Sequence, residues 1–155
     1  MKMARGDIYP LDPVSTGQVV SRDVKSGTTA SIKAGEMVLL DGANAGYVKI
    51  AVTTVASAGA VIAGVSLTDS TETTTADGKV SVYLGDGDVR FRGRALVTAS
   101  LAQAQKGTAL GYNVTTGNHR VDQSTGSGIC NMLEYNSTTG EVDFVFRQTN
   151  LAQAV

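Results

Sequence analysis

A short glycine-containing motif that occurs twice constrains the fold of this chain more than any other sequence feature. The first copy begins at Gly64 and the second at Gly128, and each leads through a polar loop to a turn glycine, Gly78 or Gly140. Each copy predicts a short strand, a loop, a turn and a strand of alternating apolar and polar residues. A duplicated small β unit favours a scaffold that presents surfaces over one that encloses a catalytic cleft.

The similarity between the two copies extends towards the N-terminus of each. Residues 106–112 resemble 34–40, residues 113–117 parallel the turn at 41–46, and residues 119–121 parallel 48–50. The stretches Met37–Leu40 and Tyr47–Ala51 flank a cluster of Gly, Asn and Asp, which predicts a hairpin. We therefore expect two related halves, about 30–84 and 98–147.

Period-two alternation favours strands throughout the chain. Val80, Val82 and Leu84 alternate with Ser81 and Tyr83 in the first copy. In the second copy the alternation runs from Val142 through Phe144 to Phe146, with Asp143, Val145 and Arg147 on the other face. The predicted fold is therefore all-β, a small barrel or sandwich of two related β halves. One short helix is expected between the halves, at Thr98–Gln105, with Thr98 or Ser100 as its cap and Gly107 as its end.

Composition limits the classes of function that fit this chain. With 155 residues it forms a single domain, and with 5% aromatic residues and no Trp its core is expected to be thin and aliphatic, which favours assembly into a homo-oligomer. A formal net charge of −1 argues against a nucleic-acid partner. The apolar stretch 51–67 is too short and too polar to span a bilayer, so no membrane association is expected.

The residues that could carry chemistry do not form a recognisable site. The single histidine, His119, lies in a predicted turn, and the single cysteine, Cys130, lies in a predicted strand as a buried small hydrophobe. Asp77, Asp86 and Asp88 fit turn positions and lack the spacing of a calcium loop. We expect no enzymatic activity, no cofactor and no metal site.

The strand predicted at Val89–Val97 carries an unusual charge pattern. Arg90, Arg92 and Arg94 alternate with Val89, Phe91 and Gly93, which places three guanidinium groups on one face. The charges are either a solvated face that Asp86 and Asp88 help to neutralise, or a contact surface for acidic residues of a partner or sister subunit.

Residues 1–29 show no apolar periodicity and hold both prolines, which indicates an extended N-terminal arm with one short strand at Gln18–Val24. The β domain would then cover residues 30–155. The arm is either a disordered tail or a segment that orders on a partner by strand addition. Its candidate contact residues are Ile8, Tyr9, Pro10, Leu11 and Pro13.

Several short motifs, taken in order, resemble one family of virus proteins. They are Ala34-Gly35 before an apolar strand, the Asp41-Gly42 turn, Ala63-Gly64-Val65-Ser66-Leu67, and Ala76-Asp77-Gly78-Lys79-Val80-Ser81-Val82. This order resembles the capsid decoration (cement) and head-fibre proteins of tailed bacteriophages, particularly the lambda-type head decoration proteins, over residues 32–146. The chain departs from the lambda-type pattern in its greater length and its second half.

The resemblance implies a small β-rich protein, commonly a homotrimer, that binds the major capsid protein through an N-terminal arm. It implies synthesis in the cytoplasm of a host bacterium and a final location on the outer surface of the virion, with no active site. The expected function is to stabilise the shell by bridging capsomers. The alternatives are a receptor- or glycan-binding module of a phage fibre or tail, and a trimeric β-barrel nucleotide hydrolase, for which the sequence offers no phosphate site.

Overall fold

A computed structural model of the chain describes residues 8–13, 18–27, 31–51, 61–84, 88–96, 101–115, 118–122 and 128–147. Its described part contains eleven strands and one turn of 3-10 helix at Gln103–Gln105. The strands are β1 Tyr9–Pro10, β2 Val19–Val24, β3 Met37–Leu40, β4 Tyr47–Ile50, β5 Ile62–Ser66, β6 Gly78–Tyr83, β7 Phe91–Arg94, β8 Ala109–Thr115, β9 Asn118–Asp122, β10 Cys130–Asn136 and β11 Glu141–Phe146. The predicted all-β class is confirmed.

The strands form a closed barrel and a six-stranded sheet. The barrel has the order β2-β4-β3-β5-β6, and the sheet has the order β1-β7-β11-β10-β8-β9. In the barrel, β2 and β4 pair in parallel and close the ring. In the sheet, a parallel bridge from Ala95 to Val121 brings the end of β7 beside β9, so the sheet also curls towards closure.

The internal repeat is visible in this topology. β3, β4, β5 and β6 pair in the same pattern as β8, β9, β10 and β11. β2 pairs antiparallel with β6, as β7 does with β11. Each repeat unit therefore has five strands, the first from β2 to β6 and the second from β7 to β11.

This arrangement corrects the predicted division of the chain. The strand predicted at Gln18–Val24 forms, but as β2 it belongs to the barrel rather than to an arm outside the β body. Likewise β7 is the first strand of the second unit and not a connector between halves. The predicted arm therefore lies partly inside the repeat, and β7, the strand of the arginine pattern, lies wholly inside it.

Equivalent hydrogen bonds fix the register of the repeat. Gly35 N–H donates to the Ser66 carbonyl, and Gly107 N–H donates to the Met132 carbonyl, both at 2.8 Å. The two glycines have φ of 82° and 80°. The predicted match of 34–40 with 106–112 therefore holds in the structure.

Two other predicted matches are displaced by two residues. Gly64 lies opposite Val38, while Cys130 lies opposite Leu110, so the structural counterpart of Gly64 is Cys130 and not Gly128. The two glycines are also enclosed by strands that are not equivalent. A Cβ on Gly64 would lie 2.2 Å from the Tyr83 carbonyl oxygen of β6, and a Cβ on Gly128 would lie 2.2 Å from the Leu110 carbonyl oxygen of β8. Val48 similarly corresponds to Val121, since each makes the parallel contact that closes its unit.

The core divides into a small cluster and a large one. The small cluster fills the barrel and consists of Val24, Ile32, Val38, Val48, Ala63, Val80 and Val82. The large cluster lies in the second unit and between the units, because it also contains Met37, Val65 and Tyr83 of the first. Strand β5 is buried at all five positions, since one face lines the barrel and the other meets the second unit.

The large cluster is not the aliphatic core that the composition predicted. All three phenylalanines of the chain are fully buried there, and the rings of Phe91, Phe144, Phe146 and Tyr83 touch one another at centroid distances of 5.2 to 6.1 Å. A few well-packed rings thus contribute much of the buried apolar area.

The helix predicted at Thr98–Gln105 is present over only three of the residues that can be compared, as the 3-10 turn at Gln103–Gln105. Leu101 and Ala102 are not helical, and helical structure is confined to the single 3-10 turn. Thr98 and Ser100, its expected caps, lie outside the described residues. The turn corresponds to Ser31–Lys33 in the register of the first unit, so it is a loop of the repeat rather than a linker between two halves.

Candidate functional site

The strand β7, together with Arg90 just before it, presents its arginines on one face, as the alternation predicts. In and beside β7, Val89, Phe91 and Gly93 are buried, Arg90 and Arg94 are exposed, and Arg92 is half-buried. Phe91 anchors the strand in the aromatic cluster, so the three guanidinium groups project from the outer surface of the second unit.

Arg92 forms a bidentate ion pair with Asp143 of β11. Asp143 lies directly opposite Arg92 in the strand register. The Arg92 Nε donates to Asp143 Oδ1 at 2.6 Å and a terminal nitrogen donates to Oδ2 at 2.8 Å. The side chains are 34% and 15% exposed, and hydrogen bonding to Asp143 raises the pKa of Arg92. This fork geometry fixes the arginine in one orientation.

Arg90 binds Asp12, which follows β1. Its Nε lies 3.1 and 3.2 Å from the two carboxylate oxygens, and its backbone N–H donates to Asp12 at 3.0 Å. The side-chain hydrogen bond from Arg90 lowers the pKa of Asp12. The carboxylates of Asp12 and Asp143 thus neutralise Arg90 and Arg92. Asp88 is exposed, and Asp86 lies outside the described residues.

The first described residues of the predicted arm, Ile8–Leu11, pack against the rest of the protein. Ile8 is fully buried in the large core cluster, and its N–H donates to the Gly35 carbonyl of the first unit at 3.3 Å. On the other side, β1 pairs with β7 through Tyr9 and Pro10. Leu11 is half-buried and its N–H donates to Arg90, whereas Pro13 is exposed.

The segment from Ile8 to Leu11 therefore joins the two units instead of extending away from them. Pro10 fits because its position in the ladder requires no N–H towards β7, where the flanking residues make the hydrogen bonds. β1 accordingly lies at the edge of the six-stranded sheet.

A second polar cluster ties the loop before β6 to the barrel. Asp77 accepts hydrogen bonds from the Ser26 N–H at 2.8 Å and the Tyr47 hydroxyl at 2.7 Å, and Lys25 lies 3.3 Å away. The Ser26 N–H, followed by the Tyr47 hydroxyl, holds the pKa of Asp77 well below its usual value. This carboxylate serves a turn, as the sequence predicted.

The possible nucleophile has a structural role. Cys130 is fully buried, its thiol donates to the Leu110 carbonyl at 3.5 Å, and burial raises its pKa to about 12. The predicted buried cysteine is confirmed. The backbone of His119 lies in β9, and not in the turn itself.

The described residues contain no group of three or more His, Cys, Asp or Glu side chains that could hold a metal ion. In the same part of the chain, no helix has the length and apolarity needed to cross a membrane.

Two shallow depressions are lined by residues that the structure describes. One, of about 400 Å³, borders the Arg92–Asp143 pair and is also lined by Glu134, Tyr135, Asn136, Ser137 and Glu141. The other, of about 570 Å³, lies on the β3–β4 hairpin, where Leu40 and Val61 are the exposed large apolar residues and Tyr47 is half-buried.

Comparisons of the chain with protein-family models, with curated proteins and with solved structures find no match. The described surface offers ion pairs and shallow depressions.

Proposed function

We propose that this chain is a non-enzymatic structural protein of a phage virion, which binds the outer surface of the capsid and stabilises the shell by bridging capsomers. Its support is the resemblance over residues 32–146, together with one observation from the repeat. The outer face of β7 carries arginines that the equivalent strand of the first unit lacks.

The register of the repeat shows what the fold itself requires on this face. Ser21 and Ser81 lie opposite each other in the first unit, at the place that Arg92 and Asp143 occupy in the second. Val19 stands at the position of Arg90. At these two positions the same strand pairing is made with neutral residues, so the charges of Arg90 and Arg92 are not needed to build the unit.

A charged face of this kind suits recognition of a large partner. Arginine forks bind carboxylates in a defined orientation, and charge complementarity sets the register and the rate of association. The depression beside Arg92 has acidic as well as basic lining, which fits a partner surface of mixed charge. Arg90, Arg92 and Arg94 are thus the proposed contacts with the major capsid protein.

Stabilisation would follow from mass action. A protein that binds the assembled shell and not the separated subunits shifts the equilibrium towards the shell. A homotrimer would bridge several capsomers at once, and light scattering would test it as a mass three times that of the 16.0 kDa chain. Of the arm candidates, Ile8, Tyr9, Pro10 and Leu11 have internal contacts, so the proposal assigns shell binding mainly to the arginine face.

The test is co-sedimentation of the purified chain with empty expanded shells of the capsid protein encoded in the same genome. The double variant Arg92→Ser with Asp143→Ser copies the natural Ser21–Ser81 pair, so it is expected to fold. We expect it to bind at least about tenfold more weakly, which corresponds to loss of one charged hydrogen-bonded contact.

The matched control is Asp23→Ser with Lys79→Ser, which removes the 2.7 Å ion pair on the first unit. It should bind shells like the natural chain. If the natural chain does not sediment with shells, or if shells rupture at the same temperature with and without it, the proposed function is wrong. Equal binding of both double variants would remove the arginine face from the proposal.

A receptor- or glycan-binding module of a fibre or tail is the second candidate. The observation that favours it is the depression on the β3–β4 hairpin, where the Tyr47 ring lies beside exposed Leu40 and Val61. Aromatic rings in shallow sites suit sugar faces because they combine an apolar surface with a polar tip. A glycan array that detects specific binding lost in Tyr47→Ala would favour this candidate over the shell.

A further inference from the structure

The two units of the repeat differ in what lies beside their first strand. In the second unit, β1 pairs with the first half of β7. β9 makes its parallel bridge only to Ala95, the residue that follows β7. In the first unit, β4 likewise pairs only with Asp23 and Val24 of β2. None of the described residues fills the place beside Val19–Ser21 that corresponds to β1. We call this place the β2 edge.

The backbone of the β2 edge has the polarity needed to receive a strand. The Leu84 N–H donates to the Gln18 carbonyl at 2.9 Å, which shows that residue 18, and hence Val20, directs its backbone groups towards β6. Val19 and Ser21 therefore direct their N–H and C=O groups away from β6. Their counterparts Arg90 and Arg92 face β1, where the Leu11 N–H bonds to the Arg90 carbonyl at 2.8 Å.

A side chain at the β2 edge indicates the chemistry of the strand that fits. In the second unit, Ile8 lies over Gly93, since a Cβ on Gly93 would be 3.5 Å from the Ile8 side chain. The counterpart of Gly93 is Arg22, which is half-buried. Its Nε is buried and has no hydrogen-bond partner among the described residues. A carboxylate at the place of Ile8 would lie beside this guanidinium group and offer it a charged acceptor.

We propose that the β2 edge binds an extended strand of a partner protein, antiparallel to β2, with an acidic side chain opposite Arg22. Main-chain hydrogen bonds to Val19 and Ser21 provide affinity, and Arg22 provides selectivity. The inference is independent of whether that partner is a capsid protein.

The probe is a synthetic peptide with the core Glu-Tyr-Val-Leu between Ser-Gly flanks, which places the glutamate opposite Arg22. Added to the ¹⁵N-labelled full chain, it should slow amide exchange at Val19 and Ser21 in a saturable way. A Gln version should bind about tenfold more weakly, because an uncharged acceptor makes a weaker hydrogen bond to arginine. A version N-methylated at the residues that bond to β2 should not bind.

The matched variants are Ser21→Pro and Ser21→Ala. Proline removes an N–H that points away from β6, so the barrel ladder is expected to survive while the peptide no longer binds. Alanine should leave binding unchanged. If Ser21→Pro does not fold, the N-methylated peptide still decides the question.

Three results would overturn the proposal. The first is equal binding of the normal and N-methylated peptides, or no change in exchange at Val19 and Ser21. The second is protection that moves to Arg90 and Arg92, which would mean that the peptide displaces β1. The third is self-association of the natural chain that Ser21→Pro abolishes, since the occupant would then be a second copy of this chain.

Discussion

Replacement of Phe91 by alanine is expected to remove a large part of the stability of this chain. Phe91 is fully buried, and its ring centroid lies 5.9 Å from Tyr83, 6.1 Å from Phe144 and 5.2 Å from Phe146. Truncating a buried phenylalanine costs about 3–5 kcal/mol, and the loss of three ring contacts places this site near the upper end, at about 4–5 kcal/mol. Domains of this size have total stabilities of about 5–15 kcal/mol.

Urea unfolding followed by circular dichroism measures the loss by linear extrapolation. The control is Val61→Ala, an apolar truncation at a side chain that is 43% exposed, where the change should stay within about 0.5 kcal/mol. A loss below about 2 kcal/mol at Phe91 would refute the close packing of the ring cluster. Both units should unfold in one transition because they share this core, and two separate transitions would contradict that.

Three further perturbations test other parts of the structure. Gly64→Ala should cost about 2–4 kcal/mol in the same urea assay, from its φ of 140° and its clash with β6, whereas Gly42→Ala, with nothing within 4 Å, should be neutral. Hydrogen bonds, that from the Ser26 N–H first, lower the pKa of Asp77 in the folded chain. The stabilisation of the fold by this carboxylate is therefore fully present above the unfolded pKa of about 3.9 and is lost as the pH falls below it. The urea midpoints of the natural chain and of Asp77→Asn should converge towards acid pH. Cys130, with a pKa of about 12, should react with a thiol reagent only in denaturant, and rapid labelling of the folded chain would contradict its burial.

Local patterns in the sequence predict the strands better than they predict the register of the repeat. The hairpin of Met37–Leu40 and Tyr47–Ile50 forms as expected, because turn residues and apolar runs are adjacent in the chain. The match of Gly64 with Gly128 is displaced by two residues. Alternation has a period of two, so a shift of two leaves every side chain on the same face, and the hydrophobic pattern cannot detect it.

Partners from distant parts of the chain are harder to predict. Asp143 lies 51 residues from Arg92, and Asp12 lies 78 residues from Arg90. Each pair depends on which strand lies beside β7, and alternation carries no information on strand order. The two-residue strand β1 is similarly too short to show a period, so the sequence indicates an arm where the structure has a bridge between units.

The differences between the two units are concentrated along one pair of equivalent strands. β2 has an outer face with one apolar and two polar or charged residues, and an edge with which no described residue pairs. The equivalent face in and beside β7 carries three arginines, and its edge is occupied by β1. Even the cross-strand charges are reversed, since Asp23 faces Lys79 in the first unit and Arg94 faces Glu141 in the second. The remaining strands keep the same pairing in both units. The two units therefore share one arrangement of five strands. Their first strands, β2 and β7, are the places where distinct contacts can arise without disturbing the fold. The shell-binding and strand-binding experiments address these two strands separately, so each can succeed or fail without the other.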